Sequence, residues 1–306
     1  MNKKNNKAKL KIGLALGSGA ARGCSHIGII NALNENGIIP DIVCGTSIGA
    51  LVGASYAAGN LQKLEKWSLS LTKIETAKFF EINTSLNGFV NTKRMHSFLN
   101  QNVVEDDLLI ENIKRKYGAV ATDLETGNEI WFTEGNVIDA VWAAISLPGL
   151  FPAVRNNNKW LVDGGLVNPV PVTLCRELGA DIVIAVNLNG DIVGKHFVRG
   201  DKKSNNKNGV GNKITSFVKD YTDALFQNSK DEENPPGLFD AIAGSVNIAQ
   251  DRITRHRLSE NPPDIILTPK LSHIGLLEFY RAAEAINEGK ICVEKMLNEI
   301  KNIIKA

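Results

Sequence analysis

The stretch DIVCGTSIGALVGASYAAG, Asp41 to Gly59, decides the fold because it changes abruptly from a strand pattern to a helix pattern. DIVCG is a short apolar run typical of a buried strand, whereas SIGALVGASYAAG contains small, helix-compatible residues and stops at a glycine. Between the two lies Gly45-Thr46-Ser47-Ile48-Gly49, which matches the pattern G-x-S-x-G of a sharp strand-to-helix turn. The stretch therefore predicts a strand, a tight turn that carries Ser47, and a helix.

The glycines of this turn have a physical reason. A serine held on a strained turn leaves no room for bulk two residues away, so the pattern requires Gly45 and Gly49, while Thr46 and Ile48 occupy its unspecified positions. In a chain with 27 glycines, however, the pattern also arises by chance. Two interpretations stay open at this point: a tight turn that happens to contain serine, and a turn that presents Ser47 as a nucleophile.

Short apolar runs alternate with helical patterns on both sides of this stretch. KIGLAL is predicted as a strand and SHIGIINALNENG as a helix; YGAVATDL and NEIWFTEG read as paired strands, and 153–165 as a hairpin. Two further helices are predicted at the C-terminus, over 276–289 and 292–304. This alternation predicts an α/β protein with a mostly parallel sheet covered by helices on both faces.

The chain is expected to form one domain from 8 to 306, preceded by a basic tail at 1–7. A segment at about 190–236 is polar and rich in glycine and asparagine, so it cannot bury enough apolar surface to order itself and is predicted to be a disordered insertion. With 35 basic and 33 acidic residues the net charge is only +2, which argues against a nucleic-acid partner.

Cysteine usage and hydropathy indicate where the protein works. Cys24, Cys44, Cys175 and Cys292 are scattered, which favours buried thiols in a reducing compartment over a disulfide framework or a zinc site. The apolar run IGLAL is too short for a secretory core, and no apolar stretch has the length of a membrane span. We therefore expect a cytoplasmic location.

A glycine-rich loop, GSGAARG, follows the first predicted strand. Its glycines let backbone N–H groups approach a negative group at the start of a helix. The spacing of Gly17, Gly19 and Gly23 also fits a loose dinucleotide fingerprint, but that interpretation requires an acidic residue at the far end of the second strand, where the sequence reads CGTS.

A third loop, LVDGGLVNPVP, places Asp163 before Gly164 and Gly165 at the end of another apolar strand. Asp-Gly-Gly is usually a simple turn. At a strand end of an open parallel sheet, however, its carboxylate lies where such sheets bind ligands. Together the three loops offer what acyl transfer requires: an anion-binding backbone, a presented hydroxyl and a carboxylate.

The combination and order of these motifs resemble the patatin-like phospholipases, in their short bacterial single-domain branch. The resemblance extends from GSGAARGCSHIGIINAL and the opening stretch through SLPGLFPAV, LVDGGLVNPVPV and LGADIVIAVN to PPDIILTPKLSHIGLLEF. It implies a three-layer α/β/α fold and lipid acyl hydrolysis by a Ser–Asp dyad without histidine. Ser47 would be the nucleophile, Asp163 the general base, and the backbone around Gly19 to Ala21 the oxyanion hole. The loop that would supply this hole comprises Gly17, Ser18, Gly19, Ala20, Ala21, Arg22 and Gly23.

One departure from the family pattern bears on activity. The family commonly has a longer glycine run before Arg-Gly, whereas this chain has Ser18 and Ala20 within it. Alanine keeps its N–H group, but a position that needs a positive φ would be strained. Arg22 has three interpretations: ordering of the loop, contact with a phosphate head group, and a purely structural ion pair.

Two alternatives to the dyad enzyme remain. Ser47, Asp163 and His273 occur in the chain order of an α/β-hydrolase triad, although the serine turn comes too early for that fold. The fold can also serve as a regulatory or protein-binding module with vestigial hydrolysis. We expect a lipid or ester substrate, reached by peripheral contact with the inner membrane surface or as a dispersed lipid, with Leu150 and Phe151 as candidates for the wall of an acyl channel. No metal or organic cofactor is expected, and the sequence leaves the oligomeric state open.

Overall fold

The computed structural model describes residues 10–79, 92–191 and 238–305. The predicted tail at 1–7 lies outside these residues, as does the predicted insertion at 190–236 except for its first two positions. In the described part of the chain, no helix is both long and apolar enough to cross a membrane.

An eight-stranded sheet forms the centre of the molecule. Strands that are hydrogen-bonded to each other follow the order β5-β6-β3-β2-β1-β7-β8, and β4 is an additional partner of β3. Strands β3, β2, β1, β7 and β8 are parallel, while β4 and β6 run antiparallel to β3 and β5 antiparallel to β6. The strands are β1 Ile12–Leu16, β2 Ile42–Thr46, β3 Lys116–Asp123, β4 Glu129–Phe132, β5 Val154–Asn156, β6 Lys159–Asp163, β7 Ile182–Val186 and β8 Ile265–Leu267.

Helices cover both faces of the sheet, because the central strands are apolar on both sides. In β1, Leu14 and Leu16 belong to a large core cluster shared with α1, α2, α3, α5, α6 and α9, whereas Ala15 belongs to a second cluster with α7 and one residue of α8. The predicted three-layer α/β/α architecture with a mostly parallel sheet is confirmed. The helices are α1 Cys24–Glu35, α2 Ile48–Ala57, α3 Leu61–Ser70, α4 Lys73–Phe79, α5 Thr92–Asn102, α6 Val137–Ala144, α7 Val172–Glu177, α8 Leu238–Glu260 and α9 Ala282–Lys305.

Strand β3 aligns two other strands end to end. Its residues Ala119 and Val120 pair with both β2 and β4, and Ala121 and Thr122 pair with both β4 and β6. Since a strand has only two hydrogen-bonding edges, β2 and β6 must share the edge opposite β4. They approach from opposite directions, and their carboxyl ends meet beside Val120 and Ala121.

The prediction of two C-terminal helices over 276–289 and 292–304 is wrong. Residues Phe279–Arg281 form a short 3₁₀ turn, and α9 then runs without a break from Ala282 to Lys305. Gly289 is the last residue of the first predicted helix, but in the structure it lies inside α9 where that helix packs against α1. A Cβ at Gly289 would lie 2.1 Å from the carbonyl oxygen of Ser25 in α1. The glycine lets the two helices pack closely, and a glycine in a helix interior costs only about 1 kcal/mol.

Candidate active site

Ser47 occupies a strained turn between β2 and α2. Its backbone has φ 56° and ψ −128°, a conformation that residues other than glycine rarely adopt. Gly45 and Gly49 make the turn possible: a Cβ on Gly45 would lie 2.3 Å from the carbonyl group of Gly49, and one on Gly49 would lie 2.1 Å from the carbonyl oxygen of Leu16. Both contacts are with backbone atoms, which cannot rotate away.

Gly49→Ala is expected to lower the free energy of unfolding by about 2 kcal/mol or more, because its methyl group would overlap the β1 backbone. Gly244→Ala is the matched control, since a Cβ at Gly244 in α8 would meet nothing within 4 Å. That control should be neutral or stabilising by up to about 1 kcal/mol, as alanine favours a helix. Urea unfolding of both variants checks the difference, and equal stabilities would contradict the packing of the turn.

The side chains of Ser47 and Asp163 are in direct contact. The Ser47 hydroxyl donates a hydrogen bond to Asp163 Oδ2 at 2.5 Å, although the two residues are 116 positions apart. This proximity follows from the register of β3, because Ser47 follows the last residue of β2 and Asp163 is the last residue of β6. Nothing lies between the hydroxyl and the carboxylate.

The environment of Asp163 raises its proton affinity. The residue is 1% exposed, and burial raises the pKa of its carboxyl group from 3.8 to about 6, against the hydrogen bonds from the Ser47 hydroxyl and the Gly165 N–H. The Gly165 N–H donates to Asp163 Oδ1 at 2.7 Å. Near neutral pH this carboxyl group is mostly ionised and more basic than an exposed one, as a general base requires.

The three loops identified in the sequence lie side by side. The Ser18 N–H donates to the carbonyl oxygen of Pro169 at 2.9 Å, which joins the glycine-rich loop to the Asp-Gly-Gly loop. The Thr46 hydroxyl donates to the carbonyl oxygen of Asn168 at 2.8 Å, which joins the serine turn to that same loop. Gly164 permits this packing, since a Cβ there would lie 2.2 Å from the carbonyl oxygen of Val120 in β3.

The N–H groups of the glycine-rich loop differ in whether the protein itself provides their hydrogen-bond acceptor. The N–H groups of Gly17, Ser18 and Ala21 bond to backbone carbonyls elsewhere in the molecule. Those of Gly19 and Ala20 have no hydrogen-bond partner within the described residues. Ala20 lines the same pocket as Ser47. Gly19 and Ala20 are therefore the N–H donors of the loop that remain available to a bound oxygen atom.

The sequence departure at Ala20 carries a backbone strain. Ala20 has φ 49°, in the left-handed region that glycine occupies readily and alanine does not. Gly23, further along the loop, has no such φ but must lack a side chain, because a Cβ there would lie 2.2 Å from Ile48. The loop therefore keeps its position against the serine turn and stores strain at a single alanine.

Two buried side chains, His26 and Arg22, hold the backbone carbonyl groups of this loop. His26 Nε2 donates to the carbonyl oxygen of Gly17 at 2.8 Å, and burial lowers the pKa of the imidazole to about 4, so the ring is neutral. The Arg22 Nε–H donates to the carbonyl oxygen of Gly19 at 3.1 Å, and Arg22 is only 1% exposed. Of its three interpretations, the structure supports loop ordering, and it leaves no exposed guanidinium for a head group.

An apolar pocket begins at Ser47. Its walls come from the loop, from α1, α2, α3, α4 and α5, and from the segments 145–151 and 277–279, with Ser47, Ser68 and Thr76 as its polar members. Leu150 and Phe151, the sequence candidates for an acyl channel, line it. The contribution of α3, α4 and α5 was not foreseen; these helices supply Leu64, Trp67, Ser68, Thr76, Met95 and Phe98 to the walls.

His273 is not part of this cluster. Its Nε2 lies 2.7 Å from Glu284 Oε1, and the side chain is half exposed at the start of the C-terminal region. The carboxyl group of Asp163 bonds to Ser47 and Gly165 instead. The structure thus brings together the serine and the aspartate of the triad alternative but not its histidine.

The fold and this turn define the class of protein: a three-layer α/β/α chain whose second strand leads through a strained serine into a small-residue helix. A family model described as patatin-like phospholipase matches residues 14–176. The chain belongs to the patatin-like phospholipase family, a family of lipid hydrolases.

Individual relatives extend the likeness beyond the matched range. An uncharacterized NTE family protein of Mycobacterium tuberculosis is 29% identical, over 94% of this chain and 91% of that protein. Lysophospholipase NTE1 of Pyricularia oryzae is 28% identical, over 91% of this chain but only 18% of that much longer protein. A solved structure, VipD from Legionella pneumophila, is similar over 95% of this chain and 67% of its own, with 14% identity and a TM-score of 0.47.

Proposed function

We propose that the protein is a serine-dependent lipid acyl hydrolase in which Ser47 is the nucleophile and Asp163 the general base. The observation that carries this proposal is the direct hydrogen bond from the Ser47 hydroxyl to the buried Asp163 carboxylate, at one end of an apolar pocket. Serine alone is a poor nucleophile, and a base within hydrogen-bond reach is what activates it.

The proposed reaction has two steps. The Ser47 oxygen attacks the ester carbonyl while its proton moves to Asp163, and the resulting oxyanion accepts hydrogen bonds from the N–H groups of Gly19 and Ala20. When the carbon–oxygen bond to the alcohol breaks, Asp163 returns the proton to the leaving alkoxide. Water, deprotonated by the same carboxylate, then attacks the acyl-enzyme, and the proton passes back to Ser47 as the fatty acid leaves.

The pocket supports an acyl chain as the part of the substrate that is bound. Its lining is almost wholly apolar, and each methylene group moved from water into such a site contributes about 0.8 kcal/mol. We further propose a cytoplasmic enzyme that reaches its lipid by peripheral contact with the inner membrane surface.

A fluorophosphonate probe and p-nitrophenyl esters with short and long acyl chains test the proposal. We expect the probe to label Ser47, the long-chain ester to have the larger kcat/KM, and His273→Ala to retain both labelling and turnover. The His273 variant separates the dyad from the triad, because a triad predicts a loss comparable to that caused by a change at Asp163. A folded wild-type protein that is neither labelled nor active would favour the regulatory module, which the strain at Ala20 keeps as the second candidate.

A further inference from the structure

Helix α8 places a polar stripe on its buried side. Ile248 is 57% exposed, while the polar residues around it are buried, the reverse of the usual pattern of a surface helix. These residues recur at intervals of three, four and seven, so they share one face of the helix. Such a local violation of patterning is typical of functional sites. The stripe consists of Asn247, Gln250, Asp251 and Thr254.

The carbonyl end of the Gln250 amide holds the glycine-rich loop. Gln250 Oε1 accepts a hydrogen bond from the Ser18 hydroxyl at 2.9 Å and a second one from Asn189 Nδ2 at 3.0 Å. Asn189 lies just after β7, next to Leu188, which packs against Gly19. One buried oxygen therefore joins α8 to the loop and to the strand end behind it.

The nitrogen end of the same amide reaches the neighbourhood of the base. A Cβ built on Gly165 would lie 2.4 Å from Gln250 Nε2 and 3.0 Å from Asp163 Oδ1. The amide nitrogen and the carboxylate oxygen are thus within about 6 Å of each other, a range over which charges shift pKa values. Gln250 consequently lies against the residue whose N–H holds the Asp163 carboxylate.

Asn247, one turn earlier in α8, acts on the loop through Arg22. Its Oδ1 accepts a hydrogen bond from Arg22 Nη2 at 3.1 Å, and Arg22 Nε in turn holds the carbonyl oxygen of Gly19. That carbonyl shares a planar peptide unit with the Ala20 N–H, and the two point in opposite directions. By fixing the direction of the Gly19 carbonyl group, Arg22 therefore also fixes the direction of the Ala20 N–H group.

We propose that Gln250 and Asn247 are positioning residues for acyl transfer, through which α8 holds the oxyanion loop and the Asp-Gly-Gly loop in one arrangement. The inference rests on the proposed function and names residues of the C-terminal third of the chain that none of the catalytic motifs contains. Gln250 is not among the residues that line the pocket of Ser47, and it acts through the loops that carry the reacting groups.

Three variants test the role of Gln250. Gln250→Met keeps the shape of the side chain and removes its hydrogen bonds, whereas Gln250→Glu keeps an acceptor for Ser18 and Asn189. Gln62→Met, on the exposed side of α3, is the matched control. Measurements are kcat, KM, the pH profile of kcat/KM, the melting temperature, and hydrogen exchange of peptides that cover 17–23, with the β3 peptide as reference.

Gln250→Met is expected to lower kcat by about 30-fold with KM changed less than about threefold, because a mispositioned oxyanion donor acts on the transition state. Exchange in 17–23 should become about tenfold faster while the β3 peptide is unchanged. Gln250→Glu should keep kcat within about fivefold of wild type at high pH and move the acid limb upward by about one pH unit, since it places a second carboxylate beside Asp163. The control should match wild type throughout.

Wild-type kcat and loop exchange in Gln250→Met, or an equal loss in Gln250→Met and Gln250→Glu at an unchanged melting temperature, would overturn the inference. Ser18→Ala removes the same contact from the loop side and replaces Gln250→Met if that variant does not fold. In the double variant the two losses should not multiply fully, because both substitutions remove the hydrogen bond between Ser18 and Gln250. If wild-type protein does not hydrolyse esters, the proposed function fails, while loop exchange still decides the positioning role.

Discussion

Ser47→Gly is expected to abolish hydrolysis and yet give a more stable protein than Ser47→Ala. Both variants lose the nucleophile, so kcat should fall by about 10⁴-fold or more. They differ in the backbone: alanine keeps the strain at φ 56° and ψ −128°, whereas glycine adopts this conformation readily. The difference in the free energy of unfolding should be about 1 kcal/mol or more in favour of glycine.

The comparison between these two variants removes the effect of the hydroxyl. Each leaves the Asp163 carboxyl group with the same remaining partner, so the difference between them reports the backbone strain, less the greater entropy that glycine has in the unfolded chain. Urea unfolding at one pH measures it. A Ser47→Ala variant as stable as Ser47→Gly would mean that the turn is relaxed, and a kcat within about 100-fold of wild type in either variant would contradict the role of Ser47.

Asp163→Asn is expected to lower kcat by about 10³- to 10⁴-fold and, at the same time, to stabilise the fold at alkaline pH. The folded protein binds the Asp163 proton up to about pH 6, whereas the unfolded chain releases it near 3.8. The protonated carboxyl group therefore contributes to the free energy of unfolding. This contribution is fully present below pH 3.8 and is lost as the pH rises through about 6. Between these two pH values and beyond them, the free energy of unfolding falls in total by about 3 kcal/mol. Asp163→Asn does not show this fall, because the asparagine amide does not ionise.

Unfolding measured at several pH values, with wild type and Asp163→Asn side by side, checks this sign. Relative to the variant, wild type should lose about 1 kcal/mol between pH 5 and pH 8. His26 acts in the other direction, because its lowered pKa of about 4 makes the fold more stable as the pH rises, but it is present in both proteins and cancels. In wild type, kcat/KM should decline below about pH 6. An acid limb near the ordinary aspartate pKa, with no stabilisation in the variant, would contradict a buried base.

The central fold was predictable because its signals are local. The serine turn, the stop glycines at Gly37 and Gly59 and the asparagine hairpin all follow from backbone conformations that few residues tolerate, and the structure has positive φ at both of those glycines and at Asn157 and Asn158. The same reasoning failed at Gly289, because a glycine at a helix crossing and a glycine at a helix end look alike in sequence.

The residues of the candidate site also divide into those with a local sequence signal and those that only tertiary packing brings there. Ser47 and Asp163 stand in short motifs whose proposed roles follow from the family resemblance, whereas Gln250 reaches the site by tertiary packing from a position 87 residues beyond Asp163. The one sequence signal for it is the run of polar residues at helical intervals in α8, a pattern that a solvated helix face shares. The pocket walls that α3, α4 and α5 contribute have no sequence motif. The same apolar helical pattern is found in helices that only pack in the core and in helices that line a pocket.

The end-to-end meeting of β2 and β6 on β3 also bears on how the proposed dyad forms. The Ser47 hydroxyl meets the Asp163 carboxylate only after the β5–β6 hairpin has been synthesised and has docked onto β3. Under the proposed mechanism, a growing chain without this hairpin contains the serine but not its base, so hydrolysis requires the docking step.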